Sequence, residues 1–136
     1  MKIQIENNEK VLRLPKATIR LCKNGILNIR YASEGVFDLE DCFDYEAGIL
    51  RICEEVPHPI IVDTRNTLNG HMTYAARDYI ARSKKLEQIR KCNAFIVNSF
   101  TNRLMVKAYV IINRPPCPAK IFSDEQAAIE WCKRFL

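Results

Sequence analysis

The sequence predicts an α/β domain with a mixed, mostly parallel sheet, an N-terminal β-hairpin and about four helices. Three observations carry that expectation. Asn24-Gly25 separates the alternating runs Thr18-Ile19-Arg20-Leu21-Cys22 and Ile26-Leu27-Asn28-Ile29-Arg30-Tyr31. Both turn residues tolerate the positive φ of a type I′ turn, which makes this a strong hairpin signal. Pro59-Ile60-Ile61-Val62 is an unbroken apolar run suited to a strand buried on both faces. It stops at Asp63-Thr64-Arg65, which places polar groups at the carboxyl end of a central strand, where ligands and partners bind in open α/β sheets. Helical and strand-like patterns then alternate to the C-terminus, giving three βα units after the hairpin, with right-handed crossovers.

Taken in order, residues 1–16 form an N-terminal arm or edge strand, with Val11-Leu12-Arg13-Leu14 as its apolar part, and residues 17–136 form a single domain. After Gly35, Asp38 is placed to cap a helix whose first turn holds Glu40 and Asp41, where the helix dipole favours acids. Leu39, Cys42, Phe43, Ala47, Leu50 and Cys53 follow at helical spacing until Pro57. Thr67-Leu68-Asn69-Gly70-His71 is expected to be a loop, and a second helix starts near Met72 or Thr73 and runs through Tyr79 and Ile80. A helical turn is expected around Leu86 and Ile89, then a buried strand at Ala94-Phe95-Ile96-Val97. Ser99 caps a third helix bearing Phe100, Leu104, Ala108, Ile111 and Ile112. That helix is apolar well around its circumference, so its second side should be covered by a subunit, a ligand or the N-terminal arm. Pro115-Pro116-Cys117-Pro118 ends it, Ala119-Lys120-Ile121-Phe122 makes a last strand, and Ser123 with Gln126 signals a capping box for a final helix.

Composition narrows the class. The chain has 136 residues, 48% of them hydrophobic and 27% charged, the profile of one globular domain. Its first ten residues lack the apolar stretch of a secretory signal, and no run approaches the ~18 apolar residues of a membrane span. A cytoplasmic protein is therefore expected. Five of the six cysteines, Cys22, Cys42, Cys53, Cys92 and Cys132, fall in apolar patterns as reduced core thiols, while Cys117 between prolines is the accessible one. No C-x-x-C pair exists, and with only His58 and His71 no metal site is expected. Net charge is +5, yet residues 34–55 carry eight acids against one base. Such a segment guides self-association or forms a solvated helix face.

Enzyme motifs are absent. Four glycines, at 25, 35, 48 and 70, cannot build a phosphate cradle, and there is no nucleophile elbow. No catalytic residue, cofactor or metal is expected, and His58 is read as the first residue of its strand. Asp63 and Arg65 form either a polar site at the sheet edge or part of a structural arrangement in which Arg77, on the following helix, pairs with Asp63. The basic stretch Arg82, Lys84, Lys85, Arg90 and Lys91 lacks interleaved aromatics, so a solvated face is expected rather than nucleic-acid binding. Thr64 and Thr73 are candidate phosphorylation sites, Thr73 at a helix start.

The Asn24-Gly25 hairpin, Ile60-Ile61-Val62-Asp63-Thr64-Arg65 with Ala76-Arg77 on the next helix, and the ending Lys120-Ile121-Phe122-Ser123-Asp124 with Ala128 and Trp131 resemble the STAS (SpoIIAA-like) superfamily. The similarity covers about residues 17–136 and is nearest to small stand-alone bacterial STAS-like or CRAL-TRIO-like domains. It implies a SpoIIAA-like fold and a non-enzymatic regulatory or protein-interaction domain of the bacterial cytoplasm. In anti-sigma factor antagonists of this fold a serine at the helix start is phosphorylated; the matching stretch here is Asn69-Gly70-His71-Met72-Thr73-Tyr74, where only Thr73 can substitute. The expected working edge is Thr64, Arg65, Asn69, Gly70, His71 and Thr73, with a protein partner or a second copy in a homodimer. The alternative is a carrier of a small apolar or lipid-like ligand in a cavity beside the 100–112 helix, with Leu104, Met105, Tyr109 and Ile112 as a ligand or dimer face.

Overall fold

A computed structural model describes residues 1–65 and 69–136, with residues 69–71 described by backbone alone. Nine strands and five α-helices follow one another as β1 (Gln4–Glu6), β2 (Glu9–Leu14), β3 (Ala17–Leu21), β4 (Leu27–Tyr31), β5 (Glu34–Phe37), α1 (Leu39–Cys53), β6 (His58–Asp63), β7 (Asn69–Met72), α2 (Tyr74–Arg82), α3 (Lys84–Glu87), β8 (Arg90–Ile96), α4 (Phe100–Ala108), β9 (Ala119–Phe122) and α5 (Glu125–Cys132). The main sheet has seven strands in the order β1-β2-β3-β4-β6-β8-β9. Its β1/β2, β2/β3 and β3/β4 pairs are antiparallel, and β4/β6, β6/β8 and β8/β9 are parallel. The expectation of a mostly parallel sheet is thus corrected to an even mixture, because residues 4–14 contribute two strands where an arm or one edge strand was expected. Among the described residues there are five α-helices where about four were expected, counting the single turn α3, which lies near the helical turn expected around Leu86.

The two faces of the sheet are covered differently. Ile60 and Val62 point into the larger core, with α1, α2, α3 and Val106 of α4, whereas Ile61 between them faces Ala128 and Cys132 of α5. That alternation is the period-two geometry of a strand buried on both sides. On the antiparallel half, the face away from α1 carries Arg20, which pairs with Glu6 and Glu9 beside the buried Val11.

Turn chemistry departs from expectation in one instructive place. In the 24–25 turn only Gly25 has positive φ, at 86°, and Cys22 N donates to Ile26 O at 3.0 Å. The hairpin exists, but its loop is longer than two residues. Consecutive left-handed residues occur instead at Asn7 (φ 52°) and Asn8 (φ 63°), the two-residue turn joining β1 to β2. A side chain at Gly25 would be strained by its φ and would meet Leu136 Cδ2 at 3.0 Å.

Helix α1 begins where Asp38 was expected to cap it: its carboxylate accepts from Leu39 N at 2.7 Å, and Asp41 reaches back to Asp38 N at 2.8 Å. Gly48 brings α1 close to β2, since a Cβ there would lie 2.5 Å from Leu12 Cδ2. For α5 the cap is Asp124, accepting from Ala127 N at 3.0 Å, and not Ser123 as the capping-box pattern suggested.

The segment expected as a loop at 67–71 is corrected in part. Asn69–Met72 forms β7, paired in parallel with β5 in a separate two-stranded sheet; Thr67 and Leu68 lie outside the described residues. The third helix also differs. After Ala108 the chain adopts a π-helical turn, Tyr109–Asn113, before Pro115. Phe100 (77% exposed), Leu104 and Ile111, among the apolar residues expected on it, face solvent, and Val106 is the residue of α4 that is buried.

Candidate functional site

At the carboxyl end of β6 the polar residues do come together. The Asp63 side chain is 3% exposed. Its Oδ1 accepts from Arg65 N and Arg65 Nε, both at 3.0 Å, and Oδ2 from Arg65 Nη2 at 2.8 Å and Arg30 Nη2 at 3.1 Å. Burial pushes this carboxyl upward, but the Arg65 and Arg30 bonds outweigh it and hold Asp63 below the ordinary aspartate value. Hydrogen bonding to Asp63 likewise raises Arg65, which also reaches Glu125 at 3.0 Å. Arg77 is therefore not the partner of Asp63. Residues 63 and 65 are near enough in sequence for a bidentate clamp that leaves the carboxylate no spare oxygen. Thr64 donates to Ile96 O at 2.7 Å and lies 3.0 Å from Asn102 Oδ1.

Thr73 occupies the N-cap of α2, accepting from Ala76 N at 3.2 Å and donating to Asp38 Oδ1 at 2.9 Å. Its amide donates to Phe37 O at 3.0 Å, continuing the β5/β7 pairing. One hydroxyl thus ties the starts of α1 and α2 together. A phosphate on Thr73 would break that tie and meet the Asp38 charge. The side chains of Asn69, Gly70 and His71, the rest of the expected edge, lie outside the described residues. Elsewhere, His58 Nδ1 is 2.9 Å from Gly25 O, and burial raises the Cys117 thiol, which favours its unreactive protonated form. Cys22 is only half-buried, unlike Cys42, Cys53, Cys92 and Cys132. Among the described residues no group of three or more His, Cys, Asp or Glu is placed to hold a metal.

A cavity of about 130 Å³ lies between the sheet and α1, α2 and α4. Its floor is Ile29, Ile60, Val62 and Phe95, strand residues that alternate onto one sheet face. Three rings, Tyr31, Phe37 and Tyr45, close one side, with centroids 5.5–5.9 Å apart and the two tyrosine hydroxyls 2.9 Å from each other. Burial raises both phenols. Across the cavity Tyr109 packs edge-on to Phe95 at 5.8 Å, and burial raises its phenol to about 12. The π-helical turn begins at this residue.

Of the face expected to meet a ligand or a second copy, the structure divides the residues. Met105 and Tyr109 line the cavity, and Leu104 (50% exposed) and Ile112 (59% exposed) face solvent. Polar groups reach the lining too. Arg77 and Arg90 both contribute, each with a buried Nε–H that has no hydrogen-bond partner, together with buried Asn93. Thr64, expected at an outer edge, also lines this cavity.

Residues 20–136 match the family described as a domain of unknown function, DUF7793. The chain belongs to that family. No curated protein matches the sequence. Among solved structures, the chain is similar to an uncharacterized protein of the DUF3478 family with a SpoIIAA-like fold, from Shewanella loihica PV-4. The two share 15% identity and a TM-score of 0.57 over 97% of this chain and 96% of that one. This DUF7793 chain therefore has a SpoIIAA-like fold, as the hairpin, the Ile60-Ile61-Val62-Asp63 strand and the C-terminal segment implied. No helix among its described residues is long and apolar enough to cross a membrane.

Proposed function

We propose that this domain is a non-enzymatic binding protein that takes up a small, mainly apolar molecule in the cavity between the sheet and α4. The observation that carries this reading is the cavity itself. About 130 Å³, walled by aliphatic strand residues and five aromatic rings, is close to the volume that holds a benzene-sized guest in other proteins. The groups of the expected outer edge support the same reading from the other side. Arg65 is occupied by Asp63 and Glu125, and Thr73 by Asp38, so these groups serve the fold before they serve a partner.

Native mass spectrometry of protein purified from its own host, repeated after denaturation, tests the proposal. A mass lost on denaturation supports it. So does an NMR titration with indole that moves amides of β6, β8 and α4 and is blocked by Met105→Trp. A bare polypeptide that also ignores indole would sink it.

A protein-interaction role has its own observation. Phe100, Leu104, Ile111 and Ile112 leave α4 and the turn after it with exposed apolar side chains. A homodimer through this face would persist at high salt, whereas one joining the acidic 34–55 segment to basic surface would dissociate. Sedimentation of the wild type and of Leu104→Glu at two salt concentrations separates the two.

A further inference from the structure

The polar part of the cavity wall says more about the guest than its size does. Three cationic residues line it: Lys16, Arg77 and Arg90. Lys16 is already neutralised, with its ammonium 2.9 Å from Asp41 Oδ2. The two arginines are not. Among the described residues neither makes a salt bridge, and Arg90 is only 8% exposed, its side chain meeting neutral groups: Ala81 O, at a long 3.4 Å from Nη2, and the Tyr109 phenol. The Nε–H of each is buried without an acceptor. A buried guanidinium without a counter-charge is costly, and so is each buried donor left unmade. The single carboxylate in the lining, Glu34, is exposed and belongs to β5, away from the buried floor.

We infer that the natural guest is a small organic carboxylate carrying one aromatic ring or a short branched chain. Its carboxylate lies toward Arg77 and Arg90, and its body rests against the Tyr31–Phe37–Tyr45 rings. The inference rests on the apolar-cavity reading above and adds the charge to it. Guanidinium groups suit a planar carboxylate, which accepts two parallel hydrogen bonds from one fork. The aromatic wall suits a ring, and the volume limits the guest to about one.

The experiment is an NMR titration of the intact protein at fixed ionic strength with benzoate, benzyl alcohol and phenyl phosphate. Benzoate is expected to bind at least tenfold more tightly than benzyl alcohol and more tightly than phenyl phosphate, moving amides of α2, β6 and β8. In Arg77→Met and Arg90→Met, which keep the aliphatic stem, benzoate should lose its advantage while benzyl alcohol binds as before. Equal affinity for benzoate and benzyl alcohol in the wild type overturns the carboxylate while leaving the apolar cavity standing. Tighter binding of phenyl phosphate overturns it in favour of a phosphate monoester. Binding of none of the three overturns both readings. The wild-type comparison decides the matter even if either variant fails to fold.

Discussion

Asp63 shows how a charge at a strand end can be mistaken for a site. Its carboxylate is nearly inaccessible and receives four hydrogen bonds from Arg65 and Arg30. Removing one member of such a cluster strands the others, so Asp63→Ala should cost about 3 kcal/mol in urea denaturation. The pH dependence has a definite sign. Asp63 titrates lower in the folded protein than the ~3.9 of an unfolded aspartate, so the unfolded chain takes up more protons in acid. The stability it contributes is complete above about pH 4 and is lost as pH falls through the folded value. Asp63→Asn should therefore flatten the acid limb of the stability curve below about pH 4. The identity of this residue as a polar strand end was readable in the sequence. Its partner was not, since Arg65 at two residues' distance and Arg77 on the next helix satisfy the same pattern, and only the observed side-chain geometry separates them.

At the level of elements, the helices were the most legible part. Asp38, Thr73 and Ser99 cap α1, α2 and α4 as their residue types imply. The short strands β5 and β7 escaped notice because Glu34-Gly35-Val36-Phe37 and Asn69-Gly70-His71-Met72 have neither alternation nor an apolar run. Their pairing depends on contacts between segments 35 residues apart, to which local patterns are blind. The Asn7-Asn8 turn could have been found, since asparagine is the non-glycine residue that best accepts left-handed backbone. Thr73 joins these elements, and Thr73→Val removes both its cap and its bond to Asp38. A loss of about 1 kcal/mol is expected, measured by chemical denaturation, with Thr73→Ser close to wild type. A valine variant as stable as the parent would show that the tie between α1 and α2 carries no weight.

For the molecule as a whole, the sheet class, the presence of helices on it and, as an alternative, a cavity beside the third helix could be read from the chain, but the residues of the cavity wall could not. Its wall draws on Tyr31, Phe37, Val62, Arg77, Arg90 and Tyr109, from six separate segments, and each looks locally like ordinary core or surface. The one advance sign was the excess of apolar residues on the third helix; of the residues it pointed to, Met105 and Tyr109 line the cavity and Leu104 and Ile112 face solvent. A guest confined to the folded state must stabilise it. At a hundredfold excess over its Kd, benzoate should add about 2.7 kcal/mol and raise Tm visibly in a thermal melt. Met105→Trp, by filling part of the space, should abolish that rise.

The unequal division of the core has a consequence for how the protein opens. Cys42 and Cys53 sit in the large cluster beneath α1, whereas Cys92 and Cys132, with sulfurs 4.0 Å apart, sit in the small cluster beneath α5. A layer held by fewer buried side chains detaches at lower free energy than the rest. Each layer thus carries its own built-in chemical clock. With a thiol-alkylating reagent under native conditions, Cys132 should be modified well before Cys42. The ratio of the two rates would measure how independently the C-terminal helix comes and goes.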